Sequence, residues 1–147
     1  MKEIIPIASD HAGFGLKEIV KKYLTDHNYE YKDFGTFSED SVDYPDYAHK
    51  VGVSVNNNVY GRGIVICGSG NGVQMTVNKY PNVRCALCWN EEIASLARQH
   101  NDANIISLPA RFVSPELALN MVDIFLNTAF EGGRHQRRVE KINKLEL

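Results

Sequence analysis

Short apolar runs alternate with amphipathic stretches along the whole chain. Apolar runs bounded by glycine or polar clusters predict buried strands, and apolar residues spaced i, i+3, i+4, i+7 predict helices. The predicted strands cover residues 3–9, 30–34, 62–67, 83–88 and 103–108. The predicted helices cover residues 14–27, 45–55, from the turn at 68–72 to about 79, 90–100, 115–130 and 134–146.

Three details qualify these elements. Pro6 lies inside the first run and weakens it as a strand, because proline has no N–H for the ladder. Ser114 is the expected N-cap of the fifth helix. The last helix has no strand after it, so it is free to pack on a neighbouring subunit.

The apolar stripes are Leu16, Ile19, Val20, Tyr23 and Leu24 in the first helix, and Val139, Ile142 and Leu145 in the last.

The regular alternation of strand and helix, with short connections, predicts a parallel sheet covered by helices on both faces. We therefore expect a single doubly wound, Rossmann-like α/β domain over residues 1–147. Its sheet would have five parallel strands, and the C-terminal helix would be an addition to the repeating pattern. No internal repeat or long linker divides the chain.

Composition narrows the class of protein. Hydrophobic residues at 44% and charged residues at 23% are ordinary for a globular domain and exclude collagen and disorder. A net charge of −2 argues against a nucleic-acid partner. No apolar run approaches the ~18 residues of a membrane span, and the apolar start is short for a signal peptide. Three cysteines, an odd number, favour a reducing cytoplasm.

Candidate chemistry follows two of the predicted strands. Asp10 and His11 come directly after the first strand, and residues 67–72 follow the third. In parallel sheets ligands bind beyond the carboxyl ends of the strands. The glycine-rich turn exposes backbone N–H groups that suit a phosphate or an oxyanion, although it could also serve only tight packing. A dinucleotide fingerprint fits poorly, because G-x-G-x-G stands after the wrong strand.

The three cysteines divide into one candidate for chemistry and two for structure. Cys67 faces the N–H cluster, which favours a thiolate that could act as base or nucleophile, although a lone cysteine is often a small core residue. Cys85 and Cys88 have redox or zinc spacing. Zinc would need two more ligands, and a thioredoxin pair starts a helix. In a strand the pair points to opposite faces, so we interpret both as structural.

Basic and imidazole side chains form a second group of candidates. His100 and Asn101 end a helix just before a strand and have no apolar role. Arg134 and Arg138 are i, i+4 neighbours, and paired guanidinium groups suit a phosphate, although a solvated basic face would look the same. Arg111, just beyond the fifth strand, is a further candidate anion ligand.

Taken together, these motifs resemble the type B ribose-5-phosphate isomerases, in a family that also contains galactose-6-phosphate isomerase subunits. The resemblance covers the chain nearly end to end. Several motifs in the same order make it far more specific than one glycine loop. The matching segments are 9–13, 43–45, 67–72, 78–79, 98–101 and 131–138.

The resemblance implies interconversion of ribose 5-phosphate and ribulose 5-phosphate without metal or organic cofactor. The ring opens, a base removes the C2 proton, a cis-enediolate forms, and the proton returns at C1. Cys67 would be the base, and His100 the ring-opening acid, assisted by Asp10. The remaining substrate contacts would come from His11, Gly68, Ser69, Gly70, Asn71, Gly72, Asn101, Arg111, Arg134 and Arg138.

Within those contacts the resemblance implies distinct roles. Ser69 and the N–H groups of residues 70–72 would hold the enediolate oxygen. His11, Arg134 and Arg138 would take the phosphate. Some family members lack the cysteine and have a glutamate just after the Gly-Asn-Gly turn. Val73 occupies that position here, so the chain resembles the cysteine subtype.

The positions of the two proton-transfer residues predict an oligomer. Cys67 follows a strand, whereas His100 precedes one, so a parallel sheet places them at opposite edges. A six-residue strand spans about 20 Å. We therefore expect a homodimer with a shared active site, and a dimer of dimers remains open. Alternatives are a galactose- or allose-6-phosphate isomerase, a non-catalytic phosphosugar-binding module and, third, a Cys85/Cys88 redox protein.

Overall fold

The computed structural model describes residues 1–145. In that range the strands are β1 Ile4–Ser9, β2 Glu30–Asp33, β3 Gly63–Cys67, β4 Cys85–Leu87 and β5 Ile105–Pro109. They form one five-stranded parallel sheet with the order β2-β1-β3-β5-β4. The helices are α1 Phe14–Asp26, α2 Tyr44–Asn56, α3 Asn71–Val77, α4 Glu91–Gln99, α5 Pro115–Asn127 and α6 Arg134–Lys141.

Helices cover both faces of the sheet. The apolar side chains of α1, α4 and α5 pack with alternate residues of β1, β3 and β5 into one core. The residues that point the other way pack against α2 and α3 in a second core. The three central strands are buried on both faces, which is why their sequences are nearly continuous apolar runs. The predicted Rossmann-like α/β fold is confirmed.

The first strand is well formed despite its proline. Pro6 pairs with Lys32 of the edge strand β2, and the register of β1 with β3 begins one residue later, at Ile7. The missing N–H therefore falls where the ladder with β3 has not yet started.

The predicted apolar stripe of α1 is partly wrong. Ile19 is 40% exposed, whereas Lys17 is completely buried. The Lys17 ammonium donates to Asp33 Oδ1 at 2.5 Å and to the Thr36 carbonyl at 2.5 Å. A buried lysine is acceptable here because two oxygens compensate its lost hydration.

Two helices end earlier than predicted. α5 ends at Asn127, and the Arg98 side chain donates to the Thr128 carbonyl just beyond it at 3.1 Å. α6 ends at Lys141, and Ile142 and Leu145 are exposed, so the predicted apolar face does not extend to the end of the chain. The last position of the predicted helix, 146, lies outside the described residues.

None of the helices in residues 1–145 is both long enough and apolar enough to cross a membrane.

Candidate active site

A cleft of about 490 Å³ opens at the carboxyl edge of β1, β3 and β5. It is formed where the turns after these three neighbouring strands meet, as the sequence predicts for a parallel sheet. The predicted site residues that line this cleft are Asp10, His11, Cys67, Gly68, Ser69, Gly72 and Arg111.

The turn after β3 is built around the sulfur of Cys67. The Gly70 N–H donates to Cys67 Sγ at 3.2 Å, and the Ser107 hydroxyl donates to the Gly70 carbonyl at 2.7 Å. Gly70 has φ +76°, and a Cβ there would lie 2.5 Å from a methyl of Leu87. Only glycine fits, and the loop holds an N–H donor against the sulfur of Cys67, a residue that is 5% exposed.

The neighbouring turn after β1 presents an imidazole to the same cleft. Asp10 accepts the Gly13 N–H at 2.9 Å and closes the turn. His11 Nδ1 accepts the Val42 N–H at 3.1 Å. Because Nδ1 is an acceptor, the neutral ring carries its proton on Nε2, which leaves that nitrogen to donate to an anion.

Two aromatic side chains that sequence reasoning missed also line the cleft. Tyr44 packs over the glycine turn, and a Cβ at Gly72 would lie 2.5 Å from its ring. Phe112 follows Arg111 and is 75% exposed. The segment 43–45 was part of the family resemblance, so the sequence did contain a signal that Tyr44 could belong to the site. Phe112 had none in a single sequence.

His100 lies at the opposite edge of the sheet. β3 and β5 are in parallel register, with Gly63 beside Ile105 and Cys67 beside Pro109. His100 caps the C-terminus of α4, before β5 begins. At about 3.3 Å per residue, the length of β5 alone separates the two edges by about 13 Å. One chain therefore holds two separate groups of predicted site residues.

The group around His100 includes two residues of the segment 131–138. The His100 and His135 rings stack with centroids 4.1 Å apart and planes 12° apart. Both Nε2 atoms lie 3.6 Å from Glu131 Oε1. Burial, together with the charges of His100 and Arg134, lowers the pKa of His135. The sequence predicted His100 but gave no role to Glu131 or His135.

Arg98 fixes the loop that carries His100. Its guanidinium donates to the Thr128 carbonyl, to Asp102 Oδ1 at 2.9 Å and to the Ala103 carbonyl at 2.7 Å. The Glu131 N–H also donates to the Gln99 carbonyl at 3.1 Å. The end of α4 and the connection between α5 and α6 are thereby held as one unit.

The arginines divide between the two groups. Arg111 lies in the Cys67 cleft, and its N–H donates to the Gly68 carbonyl at 3.0 Å. Arg134 and Arg138 belong to α6, beside His135 and His100. Asn101 lines a different cavity, of about 580 Å³, together with Arg84. Arg111 therefore belongs to the Cys67 group, and Arg134 and Arg138 belong to the His100 group.

Comparison with known proteins identifies the family. The model of the family described as Ribose/Galactose Isomerase matches residues 5–142. The chain belongs to the ribose/galactose isomerase family.

Relatives within the ribose/galactose isomerase family are similar over nearly their full length. Ribose-5-phosphate isomerase B of Escherichia coli is 41% identical over 142 residues, which is 97% of this chain and 95% of the relative. A ribose 5-phosphate isomerase structure from Thermotoga maritima has a TM-score of 0.95 at 51% identity and covers 99% of this chain and 100% of that one. A Mycoplasma genitalium ribose-5-phosphate isomerase B, described with bound ribulose-5-phosphate, has a TM-score of 0.93 at 44% identity and covers 98% and 96%.

The other two cysteines of this family member lie in the cores. Cys88 packs on the α1, α4 and α5 face, and Cys85 on the opposite face, so the predicted division between faces is confirmed. Burial raises the pKa of Cys88 to about 12 and also raises the pKa of Cys85. All three cysteines are free thiols. Cys85 and Cys88, with their raised pKa values, are poor redox groups, because the reactive species is the thiolate.

Proposed function

We propose that this chain interconverts ribose 5-phosphate and ribulose 5-phosphate through a cis-enediolate. The observation that carries the proposal is the Gly70 N–H on the sulfur of Cys67, in a cleft that also holds His11 and Arg111. The Cys67 thiolate, the His11 imidazole as a hydrogen-bond donor and the Arg111 guanidinium lie around one cleft. This combination suits a small phosphorylated sugar. The relative described with bound ribulose-5-phosphate, from Mycoplasma genitalium, supports the same substrate.

Cys67 acts as the base. Its thiolate takes the proton from C2 of the open-chain aldose, and the electron pair forms the C1–C2 double bond while negative charge moves to O1. The thiol then returns the proton to C1, while the O2–H bond breaks to form the C2 ketone and O1 takes up one proton in place of the one lost from O2. A general base supplies about 10²–10⁴-fold of rate.

Ser69 and the backbone of the glycine turn hold the enediolate oxygen. Each prearranged donor contributes roughly 3–4 kcal/mol to the transition state. The Gly70 N–H donates a hydrogen bond to Cys67 Sγ, and the Asn71 N–H donates to Ser69 Oγ at 3.3 Å. We therefore assign Gly70 to the thiolate, and the Ser69 hydroxyl with the Gly72 N–H to the substrate oxygen.

His100 opens the sugar ring, with Asp10 assisting, and it does so from a second chain. His11, Arg134 and Arg138 bind the phosphate, and Asn101 and Arg111 contact the substrate. A homodimer that sets the Cys67 edge of one chain against the His100 edge of the other would unite the two groups. Apolar side chains exposed on elements of the Cys67 edge suit such an interface: Met75, Trp89 and Phe112.

Isomerisation in deuterium oxide tests the reaction. Ribose 5-phosphate is converted by the purified chain, and the deuterium content at C1 of the ketose is measured by NMR. We expect turnover with deuterium at C1, because the proton held by the thiol exchanges with solvent before it returns. Binding without turnover would instead make the chain a phosphosugar-binding module.

Substitution of the thiols tests the base. Cys67→Ala should keep the fold and lose isomerisation, whereas Cys85→Ala should keep the activity. Circular dichroism checks the fold of both variants. A Cys67→Ala chain with substantial turnover would contradict the assignment.

Mixing two inactive variants tests the shared site. Subunits of Cys67→Ala and His100→Gln chains are exchanged, and exchange is verified with a mass tag. Hybrid dimers would contain one intact site, so we expect partial recovery of turnover. No recovery despite verified exchange would show that the two groups do not act together.

A six-carbon phosphosugar is the alternative substrate, because the family description includes galactose as well as ribose. The ratio of kcat/KM for ribose 5-phosphate to that for allose 6-phosphate and galactose 6-phosphate decides between them. We expect the five-carbon sugar to be preferred.

A further inference from the structure

Three side chains with metal-ligand chemistry meet at the His100 edge of the sheet. His100 comes from the end of α4, Glu131 from the connection between α5 and α6, and His135 from the first turn of α6. One ligand atom from each lies within 4.8 Å of the other two. Within residues 1–145 this is the one group of three such side chains that could hold a metal ion.

The spacing inside this cluster suits a bound cation better than direct hydrogen bonds. Each imidazole Nε2 lies 3.6 Å from Glu131 Oε1, beyond the 2.7–3.2 Å typical of an N–H···O hydrogen bond. Zinc bonds to nitrogen and carboxylate oxygen of 2.0–2.2 Å place tetrahedral ligand atoms about 3.4 Å apart. To complete three bonds, the two stacked rings, whose planes are 12° apart, would have to turn until both Nε2 lone pairs point at one ion.

The geometry points to a transition-metal site for Zn²⁺, formed by His100, Glu131 and His135, whose occupation inhibits the isomerase. Two imidazoles and one carboxylate are ligands that zinc accepts, and three protein ligands leave a fourth position open to water or an anion. The site is not needed for the proposed reaction. The His100 imidazole would belong both to this metal site and to the proposed isomerase site.

The surroundings hold the backbone of Glu131 and the loop that carries His100, and they bury His135. The Glu131 N–H is bound by the Gln99 carbonyl, and Arg98 fixes the loop after α4. His135 is buried. Arg134 and Arg138 add positive charge nearby, but both are exposed and screened by solvent, and they favour an anion at the open fourth position.

Inhibition follows because the metal would bind the nitrogen atom that is proposed to transfer a proton. A zinc ion bonded to His100 Nε2 withdraws that nitrogen from proton transfer, so the sugar ring would not be opened. This consequence rests on the proposed function, whereas metal binding itself does not.

Binding is tested on the whole chain with two probes used alone, Zn²⁺ by calorimetry and Co²⁺ by visible absorption. We expect one ion per chain, with a tetrahedral Co²⁺ spectrum and no thiolate charge-transfer band. Glu131→Gln and His135→Gln should each weaken binding about tenfold or more. Glu131 is exposed, so its variant should fold even where the buried His135 variant does not.

His27→Gln is the matched control, because this exposed histidine at the end of α1 lies outside the cluster. It should bind as the unmodified chain does. Absence of stoichiometric binding, affinity unchanged by Glu131→Gln, or a thiolate band would each overturn the proposal.

Activity forms a separate arm of the test. Zn²⁺ should inhibit ribose 5-phosphate turnover in the unmodified chain, and a chelator should restore it. Glu131→Gln should require about tenfold more Zn²⁺ for the same inhibition. Specific Co²⁺ binding in a chain that has no isomerase activity would defeat the proposed function and leave the metal site standing. Turnover unaffected by stoichiometric Zn²⁺ would refute the inhibition.

Discussion

The backbone N–H of Gly70 donates a hydrogen bond to the sulfur of Cys67 at 3.2 Å. The two residues are three apart in the chain, and the contact exists because Gly70 takes a left-handed conformation, φ +76°. The hydroxyl of Ser107, in the neighbouring strand β5, donates a hydrogen bond to the Gly70 carbonyl and thereby fixes the turn. A donor held on the sulfur stabilises negative charge there, which is the charge that a thiolate base needs.

Gly70→Ala should therefore damage the site more than the fold. The new Cβ would meet a methyl of Leu87 at 2.5 Å, and a left-handed non-glycine residue costs about 1–2 kcal/mol. We expect the turn to shift, the N–H to leave the sulfur and kcat to fall at least tenfold. The loss of unfolding free energy should be about 1–3 kcal/mol. Turnover of ribose 5-phosphate and urea denaturation measure the two effects.

Gly61→Ala is the matched control, because nothing lies within 4 Å of a Cβ at that position. It should keep both activity and stability. Normal kcat in Gly70→Ala would mean that the N–H contact with the sulfur has no part in the reaction.

The three thiols should differ in reactivity at neutral pH. Burial raises the pKa of Cys85 and brings that of Cys88 to about 12, so neither forms thiolate readily. Cys67 lines an open cleft and receives an N–H. We expect iodoacetamide to label Cys67 first, with loss of activity in proportion to labelling, and ribose 5-phosphate to slow it. Peptide mass spectrometry locates the label. Faster labelling of Cys85 than of Cys67 would contradict this order.

The framework of the fold was predictable because it depends on local patterns. Apolar runs placed all five strands to within about two residues, and the strand-end rule directed attention to the turns that carry Asp10 and Cys67, which share one cleft. Even the separation of Cys67 from His100 followed from chain direction in a parallel sheet. Each of these inferences needs only the order of residues along the chain.

What the sequence did not show depends on contacts between distant segments. Lys17 lies outside the apolar stripe predicted for α1, and its burial is decided by Asp33, sixteen residues away. Glu131 and His135 lay in a segment of the family resemblance but had no assigned role, and only the fold places them beside His100. Helix periodicity carries no information about such partners.

Substitution of His100 should separate ring opening from proton transfer. Ribulose 5-phosphate is acyclic, because its C5 oxygen carries the phosphate, so it needs no ring-opening acid. His100→Gln should lose turnover of ribose 5-phosphate by about 10²-fold or more. It should still exchange the C1 proton of ribulose 5-phosphate with deuterium oxide at a rate close to that of the unmodified chain. Equal loss of both rates would place His100 in the enolisation step instead.

Asp33 gives the fold an acid-sensitive ion pair. Burial alone would raise its pKa, but hydrogen bonds from Lys17, Lys21 and the Gly35 N–H outweigh burial and lower it. A carboxyl whose pKa is lower in the folded state stabilises the fold above its unfolded pKa of about 3.9. That contribution is lost as the pH falls through the folded value. Asp33→Asn, which leaves the buried Lys17 without a carboxylate, should cost about 3–5 kcal/mol at pH 7.

The difference between Asp33→Asn and the unmodified chain should therefore shrink in acid. Urea denaturation at pH 7 and again near or below the folded pKa, where both chains remain folded without urea, measures it. Asp26→Asn is the matched control, because Asp26 forms an exposed ion pair with Lys22. Its effect should stay within about 0.5 kcal/mol at every pH. A destabilisation by Asp33→Asn that is equal in neutral and acid solution would show that lost packing, and not lost charge, explains the role of Asp33.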